Sequence, residues 1–461
     1  MMKLATVVLA AGEGTRMKSN LTKLLHPLAG KPVAQYAVDI ARAVGARETV
    51  FVVGKDKEAV RQVVGEEGIR YVVQAERKGT GHATMQARSV LQGRADVVLV
   101  YYGDMPLIKP ETLQQLVENQ AQGGSVMTIL TLVHDDSMGF GRVVRAEDGR
   151  VLEIVEEKVC TPEQLEIKEL NCGLYCFDGD WLWDHIDLIP LNPVKKEYYL
   201  TDMVAVAVAD GQRVEAVATT DVDQMIGINT RVHLSWCEAV MRKRINEQLM
   251  LDGVTLQDPA SIYVDATVQV GRDSIILANT HIRGRTAIGE ACEIGPNSII
   301  QDCTIGDRCR VTASVLEEAV MERDSNIGPF GHLRKGARLC AGAHMGNFGE
   351  MKNATLGPGA KMGHMSYLGD TAVGAEANIG AGTITCNYDG KDKHRTTIGE
   401  KAFIGSGSML VAPVDIGAGA TIGAGSVVTH DVPGGRLAYG VPARLKNDRV
   451  RLETDGSGKD G

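Results

Sequence analysis

A chain of 461 residues exceeds one ordinary hydrophobic core, and at about 150 residues per domain it holds two or three. Its 44% hydrophobic and 23% charged residues are those of a globular protein, but 53 glycines against 4% aromatics point to a repeat with many tight turns. A net charge of −9 without a Lys/Arg stripe argues against nucleic acid as a partner, and nine scattered cysteines without a CxxC pair argue against a disulfide framework or zinc site.

The opening MMKLATVVLAAGEG has too short an apolar run for a secretory signal, and no segment is long enough to span a bilayer. A cytoplasmic protein without membrane contact is expected. Strands read at Ala5–Ala10, Val50–Val53, Tyr71–Gln74, Val97–Tyr101 and Val126–Leu132, with amphipathic stretches such as Pro32–Val44 and Thr80–Leu91 between them. This alternation implies a mostly parallel, doubly wound α/β sheet, which binds ligands outside the carboxyl ends of its strands.

Leu9-Ala10-Ala11-Gly12-Glu13-Gly14-Thr15-Arg16-Met17 follows the first strand directly, and Lys23 lies just beyond it. A Gly-rich turn after a buried strand lets backbone N–H groups approach phosphate, and Arg16 adds a charge that does not titrate. The plainer reading is a βα turn with surface cations. Asp104 ends the apolar run VVLVYYGD, where a hard carboxylate can hold Mg²⁺, although such an Asp is more often a helix cap.

Thr230–Leu251 has no glycine or proline and reads as one exposed helix, an arm between domains. From Val264 an aliphatic residue recurs every six positions, through Val270, Ile276, Ile282, Ile288, Ile294 and Ile300. The register slips, resumes at Ile327, Leu333, Leu339, Met345 and Met351, and runs again from Ile398 to Val428. A period of six fits a parallel β-helix, one short strand and one turn per hexad. Thr385–Thr397 interrupts the repeat as an extruded loop, either reaching a neighbour or merely lying on the surface.

Together with Gln74-Ala75-Glu76, Gly79-Thr80-Gly81-His82-Ala83, Tyr102-Gly103-Asp104, Gly139-Phe140-Gly141-Arg142, Asn171-Cys172-Gly173, Glu197-Tyr198-Tyr199-Leu200-Thr201-Asp202 and Gly227-Ile228-Asn229, the first half resembles the sugar-1-phosphate nucleotidyltransferases. Two departures stand out: Thr22 replaces a usual Pro, and Cys172 a usual Thr. The repeats resemble the hexapeptide acyltransferases, whose left-handed β-helices pack as trimers with active sites between subunits. Leu333-Arg334-Lys335-Gly336, Gly346-Asn347-Phe348-Gly349-Glu350-Met351-Lys352 and Gly363-His364-Met365-Ser366-Tyr367 narrow the resemblance. They point to the bifunctional uridyltransferase–acetyltransferases of amino-sugar phosphates.

The resemblance implies a Rossmann-like nucleotidyltransferase domain over 1–229, a helical linker over 230–251, a left-handed β-helix acetyltransferase domain over 252–446 and a disordered tail over 447–461. It implies UTP and acetyl-CoA as co-substrates, Mg²⁺ as cofactor, and glucosamine-1-phosphate and N-acetylglucosamine-1-phosphate as sugar substrates. Asp104 and Asn229 would hold the metal, while Arg16 and Lys23 stabilise charge on the triphosphate. Leu9, Ala10, Ala11, Gly12, Gln74, Gly79, Thr80, Tyr102 and Gly103 would line the nucleotide, and Gly141, Glu156 and Asn171 the sugar.

Acetyl transfer to an amine needs a base, and His364, at a non-core hexad position, is the natural one because its ordinary pKa lies near neutral. A turn histidine by itself is usually only solvated. By resemblance, Arg334 and Lys352 would bind the sugar phosphate, with Tyr367 and Asn378 on the sugar. Ala381, Asn387, Tyr388, Ser406, Ala424 and Gly440 would line acetyl-CoA. Close relatives carry Arg at the Gly440 position, and here Arg444 follows shortly. The alternative to a two-headed enzyme is a monofunctional sugar-1-phosphate nucleotidyltransferase with a structural β-helix.

Overall fold

The computed structural model describes residues 2–446, so the expected disorder of 447–461 lies outside the described residues. The chain divides into two compact units between Met241 and Arg242.

In the first unit the run LATVVLA at Leu4–Ala10 forms a strand that is mostly buried, as its unbroken apolar character requires. It pairs in parallel with Glu48–Val53 on one side and Val97–Tyr102 on the other. The chain first winds outward through Glu48–Val53 to Ile69–Val73, then returns to Val97–Tyr102 on the opposite flank. That reversal is a topological switch point, and it brings the segments after Ala10 and Tyr102 together at one edge of the sheet. The helix Val33–Ala43 packs its apolar face, including Tyr36, Val38 and Ile40, beneath this edge.

The mostly parallel sheet holds with one antiparallel strand inserted, and one expected helix needs correction. Glu169–Asp178 runs antiparallel between Val97–Tyr102 and Met127–Val133, so the sheet is mixed. It is reached through the hairpin Arg142–Arg145/Val151–Val155 and not through the helical crossover that parallel pairing needs. The stretch Thr80–Leu91 is two short helices, Gly79–Met85 and Arg88–Leu91. Thr84 Oγ1 donates to the Thr80 carbonyl at 3.0 Å, and the amides of Gln86 and Ala87 reach back only three residues.

In the second unit three parallel sheets of twelve, ten and nine strands wrap a narrow core, and each coil contributes one short strand to each sheet. Ile276, Ile294, Val311, Ile327, Met345, Met362, Ile379, Ile404, Ile422 and Ala438 stack in register up one sheet, all buried. The slips in the hexads are corners shortened by one residue, as from Ile300 to Ile305 and from Val311 to Leu316, and the core runs through them unbroken. Corners tolerate little bulk: a Cβ on Gly346 would stand 1.8 Å from the Gly363 carbonyl oxygen. This crowding explains the glycine excess and the shortage of aromatics. Leu249, from the helix Arg231–Leu251, joins the core beside Val254 and Leu256. The antiparallel pair Leu437–Gly440/Ala443–Lys446 ends the other side.

Candidate active sites

Gly14 adopts φ +63°, and a Cβ there would lie 2.7 Å from Lys23 Cβ. The bare turn therefore lets Lys23 fold beneath it, where the side chain is buried. A buried ammonium needs partners, and Lys23 Nζ pairs with the Asp104 carboxylate and lies 3.4 Å from Asn229 Oδ1. The Ile228 amide donates to the Asp104 carbonyl at 2.9 Å and pins the Asn229 segment there. Two oxygen ligands thus face one point, now covered by a cation. A hard divalent ion would find one carboxylate and one amide oxygen, with phosphate and water left to complete its shell. Among the described residues no cluster of three or more His, Cys, Asp or Glu side chains forms a metal cage.

Two lobes meet at this point. The smaller, about 520 Å³, is lined by Leu9, Ala10, Ala11, Gly12, Gln74, Gly79 and Thr80. The larger, about 760 Å³, is lined by Gly141, Glu156, Asn171, Cys172 and Gly173. Arg16, Thr80, Tyr102, Asp104 and Tyr199 belong to both. Among the described residues Arg16 has no ion-pair partner, so its charge is free for a ligand. Gly103 stands behind the cleft, donating to the Leu9 carbonyl at 3.0 Å and joining the two strand ends.

A shift in strand register between Asn171 and Tyr175 swings Asn171–Gly173 into the larger lobe. Asn171 Nδ2 donates to the Tyr175 hydroxyl at 3.0 Å, which fixes the amide. Burial, with Glu169 adding to it, pushes the Cys172 thiol far up, so it is a neutral wall and no nucleophile. Burial, then Asp104 and Glu156, likewise keeps the Tyr102 hydroxyl protonated. Tyr199, His233 and Trp236 line the larger lobe without having been assigned to it from sequence. Tyr199 lay within a quoted motif, whereas His233 and Trp236 sit on a helix read only as an arm. Their place in the lobe follows from the fold, and no spacing in the sequence signals it.

On the β-helix, His364 Nδ1 lies 2.9 Å from Asn347 Oδ1, one coil below in direct register. The amide oxygen can only accept, so Nδ1 carries the proton and Nε2 presents a lone pair. That is the arrangement of a general base with an orienting partner. Two residues beyond the stacked Met362, Ile379, Ile404, Ile422 and Ala438 come His364, Ala381, Ser406, Ala424 and Gly440, which form one column up an edge. Asn378 begins the strand that leads to Ala381.

Arg334 and Lys352 follow Leu333 and Met351, which pair between adjacent coils, and both line a hollow of about 280 Å³. Glu350 accepts from Arg334 Nη1 at 2.9 Å and holds it in place. Tyr367 shares the strand position of Glu350 one coil on. Burial, then Glu350 and Asp370, raises the pKa of its hydroxyl. Asn387 Nδ2 donates to Asp370 Oδ2 at 2.5 Å, and Tyr388 opens the extruded loop, exposed. Among the described residues no hydrogen bond joins this group to His364. At Gly440 the chain turns with φ +104°, and Arg444 lies opposite Tyr439 across the terminal hairpin.

The switch-point cleft with its Gly-rich turn, and the oriented histidine carried on a hexad β-helix, define a nucleotidyltransferase joined to a hexapeptide-repeat transferase. A MobA-like NTP transferase family model matches residues 6–155, a bacterial hexapeptide transferase model matches 395–430, and the hexapeptide repeat of succinyl-transferase matches 285–315. The chain is 44% identical to the Bifunctional protein GlmU of Pelobacter propionicus, over 98% of this chain and 99% of the relative. It is 45% identical to that of Geobacillus thermodenitrificans, over 98% and 99%, and 47% identical to that of Stutzerimonas stutzeri, over 95% and 96%. The chain belongs to the bifunctional GlmU family. It is a transferase with two heads, a Rossmann-like α/β unit and a left-handed parallel β-helix. Among the described residues no helix is long and apolar enough to cross a membrane.

Proposed function

We propose that the β-helix acetylates glucosamine-1-phosphate with acetyl-CoA, and that the first unit then transfers UMP from UTP to the product. UDP-N-acetylglucosamine and pyrophosphate result, and they supply peptidoglycan, lipopolysaccharide or other cell-envelope polymers from the cytoplasm. The observation that carries the reading is the His364–Asn347 pair, which orients an exposed histidine at the foot of the column of small residues Ala381, Ser406 and Ala424.

In the first reaction, Arg334 and Lys352 hold the sugar phosphate, with Tyr367 and Asn378 on the ring. His364 Nε2 takes the amine proton as nitrogen attacks the thioester carbonyl. Acetyl-CoA lies along Ala381, Ser406, Ala424 and Gly440, with Asn387 and Tyr388 beside it, and Arg444, opposite Tyr439 in the terminal hairpin, is a cation for its phosphates. Because one chain keeps its phosphate hollow and its base on separate columns, a homotrimer completes the site between neighbours. Sedimentation should show that trimer, and a fully active monomer would remove it.

In the second reaction, Gln74, Gly79 and Thr80 read uracil, and Gly141, Glu156 and Asn171 hold the sugar. Alignment and charge neutralisation supply the catalysis. Asp104 and Asn229 would hold Mg²⁺, which supplies positive charge to the triphosphate. Arg16 and Lys23 stabilise charge on the leaving pyrophosphate, and Lys23 passes from Asp104 to phosphate as nucleotide arrives. The two heads span 1–229 and 252–446, linked by 230–251.

Incubation with UTP, Mg²⁺, glucosamine-1-phosphate and acetyl-CoA should yield UDP-N-acetylglucosamine, read by mass spectrometry. Pyrophosphate release from N-acetylglucosamine-1-phosphate without any thiol release from acetyl-CoA would reduce the chain to a nucleotidyltransferase on a scaffold.

A further inference from the structure

We propose that His82 sets which nucleobase the smaller lobe accepts, by fixing the direction of the Gln74 amide. The inference rests on the reading of that lobe as the uridine-nucleotide site. Gln74 is buried just beyond the strand Ile69–Val73, and its Nε2 donates to the Gly79 carbonyl at 3.0 Å. A carbonyl only accepts, so the amide nitrogen, and not its oxygen, must stand there. The same nitrogen lies 3.1 Å from His82 Nδ1, which must therefore offer a lone pair. Gln86 Nε2 approaches the other ring nitrogen at 3.3 Å, and one of the two must carry hydrogen. Both amide nitrogens are fixed as donors by carbonyls, Gln74 by Gly79 and Gln86 by His82, each at 3.0 Å, so the shorter ring contact keeps the lone pair at Nδ1 and the longer one at Gln86 goes without a hydrogen bond.

Both hydrogens of the Gln74 amide are thus held inside the protein. Among the described residues its Oε1 has no protein partner, and the residue lines the cleft. An inward-facing acceptor matches the ring N3–H of uracil. Cytosine has a lone pair at N3, so the same oxygen meets it acceptor to acceptor. Rotating the amide by half a turn would reverse the preference, so selectivity lies in whatever prevents that rotation. One restraint is the Gly79 carbonyl, in a segment pinned by the Gly81 and Tyr198 amides at 2.8 and 2.7 Å. The other is His82.

The ring stacks on Tyr198 with centroids 6.4 Å apart. It faces Gln74 and Gln86, with Lys78 and Glu76 as the charged groups nearby. Burial, then Lys78, lowers its pKa against a smaller opposing effect of Glu76, which favours the neutral ring that the lock needs. Protonation would turn Nδ1 into a donor facing the Gln74 amide nitrogen and release the lock. His82 touches no substrate on this account. It is a positioning residue.

The test measures kcat/KM for UTP and for CTP in uridyl or cytidyl transfer to N-acetylglucosamine-1-phosphate. H82F keeps a ring against Tyr198 but has no acceptor, and its UTP-to-CTP ratio should fall about tenfold, the value of one hydrogen bond's direction. H82N places Oδ1 near the lost Nδ1 and should restore the ratio. In the unsubstituted protein the ratio should decline as pH falls below the ordinary histidine value of about 6.5 and the ring charges, while in H82N it stays flat. Both nucleotides carry the same titrating phosphates, so the ratio isolates the base. An unchanged ratio in H82F, or a flat ratio for the unsubstituted protein from pH 7 to about pH 5, would overturn the proposal. Should H82F fail to fold, the pH series and H82N decide alone. Absence of any transfer from UTP would instead overturn the reading of the lobe.

Discussion

Replacing Asn347 with Ala removes the hydrogen bond that orients His364. In the resting state this bond is a neutral pair, but once Nε2 has taken the amine proton it is made by an imidazolium. Hydrogen bonds to a charged group contribute about 1.5–3 kcal/mol, and the exposure of His364 places this one at the lower end because water can replace the amide. At about 1.4 kcal/mol per factor of ten, the turnover of acetyl transfer should drop about tenfold. Thiol release from acetyl-CoA, followed with a chromogenic disulfide, measures it. Pyrophosphate release by the first unit should not change. N347D supplies a control of opposite sign: a carboxylate beside the ring favours its charged form, so the rising limb of the pH–rate profile should move to higher pH. An N347A protein with undiminished acetyl transfer, or with both reactions reduced alike, would refute the assignment of Asn347 as the orienting partner.

Asp104→Ala should abolish pyrophosphate release while thiol release persists, and His364→Ala should do the reverse, each read in the same pair of assays. Gly14→Ala forces a Cβ to within 2.7 Å of Lys23 Cβ at a left-handed φ, so uridyl transfer should fall at least tenfold and the first unit should lose about 1–2 kcal/mol to denaturant. His26 is buried against Arg231 with Nε2 unpartnered, and burial, then Arg231, lowers its pKa from 6.5. The unfolded chain therefore binds that proton more readily, so stability present at neutral pH should be lost as pH falls below about 6.5. H26Q should make the fall shallower in urea titrations, and an unchanged slope would remove His26 as its source.

Patterns that repeat locally were legible. The aliphatic runs at Leu4–Ala10 and Val97–Tyr102 announce buried strands, and the hexads announce the β-helix, because each depends only on spacing along the chain. The slips at Ile305 and Leu316 were visible as lost phase, but their cause, a corner one residue shorter, depends on three-dimensional stacking. Glu169–Asp178 went unread because its direction is set by a preceding hairpin and not by its own residues. Asp104 and His364 were found through motif and chemistry. Asn347 acquires a function only through pairing with a coil seventeen residues away, and Tyr199 through a fold that carries it to the junction of two lobes. Spacing along a sequence does not report such contacts.

The edge that carries His364 changes character along its length. Below and beside the histidine it bears Phe330 and Phe348, stacked at 5.3 Å, and then Met365, all exposed. Above it the same two places carry Ala381-Gly382, Ser406-Gly407 and Ala424-Gly425, and large side chains return only with Gly440-Val441. Strands repeat at about 4.8 Å, so the four steps from His364 to Gly440 measure about 19 Å. On the seating proposed above for acetyl-CoA, the coils act as a gauge of donor length: a thioester on a short stem would reach His364 yet leave the upper rungs empty. Removing one whole coil above His364 would shorten the preferred stem by one rung and leave the acid–base chemistry at the bottom untouched, so reach and reactivity can diverge independently in this fold.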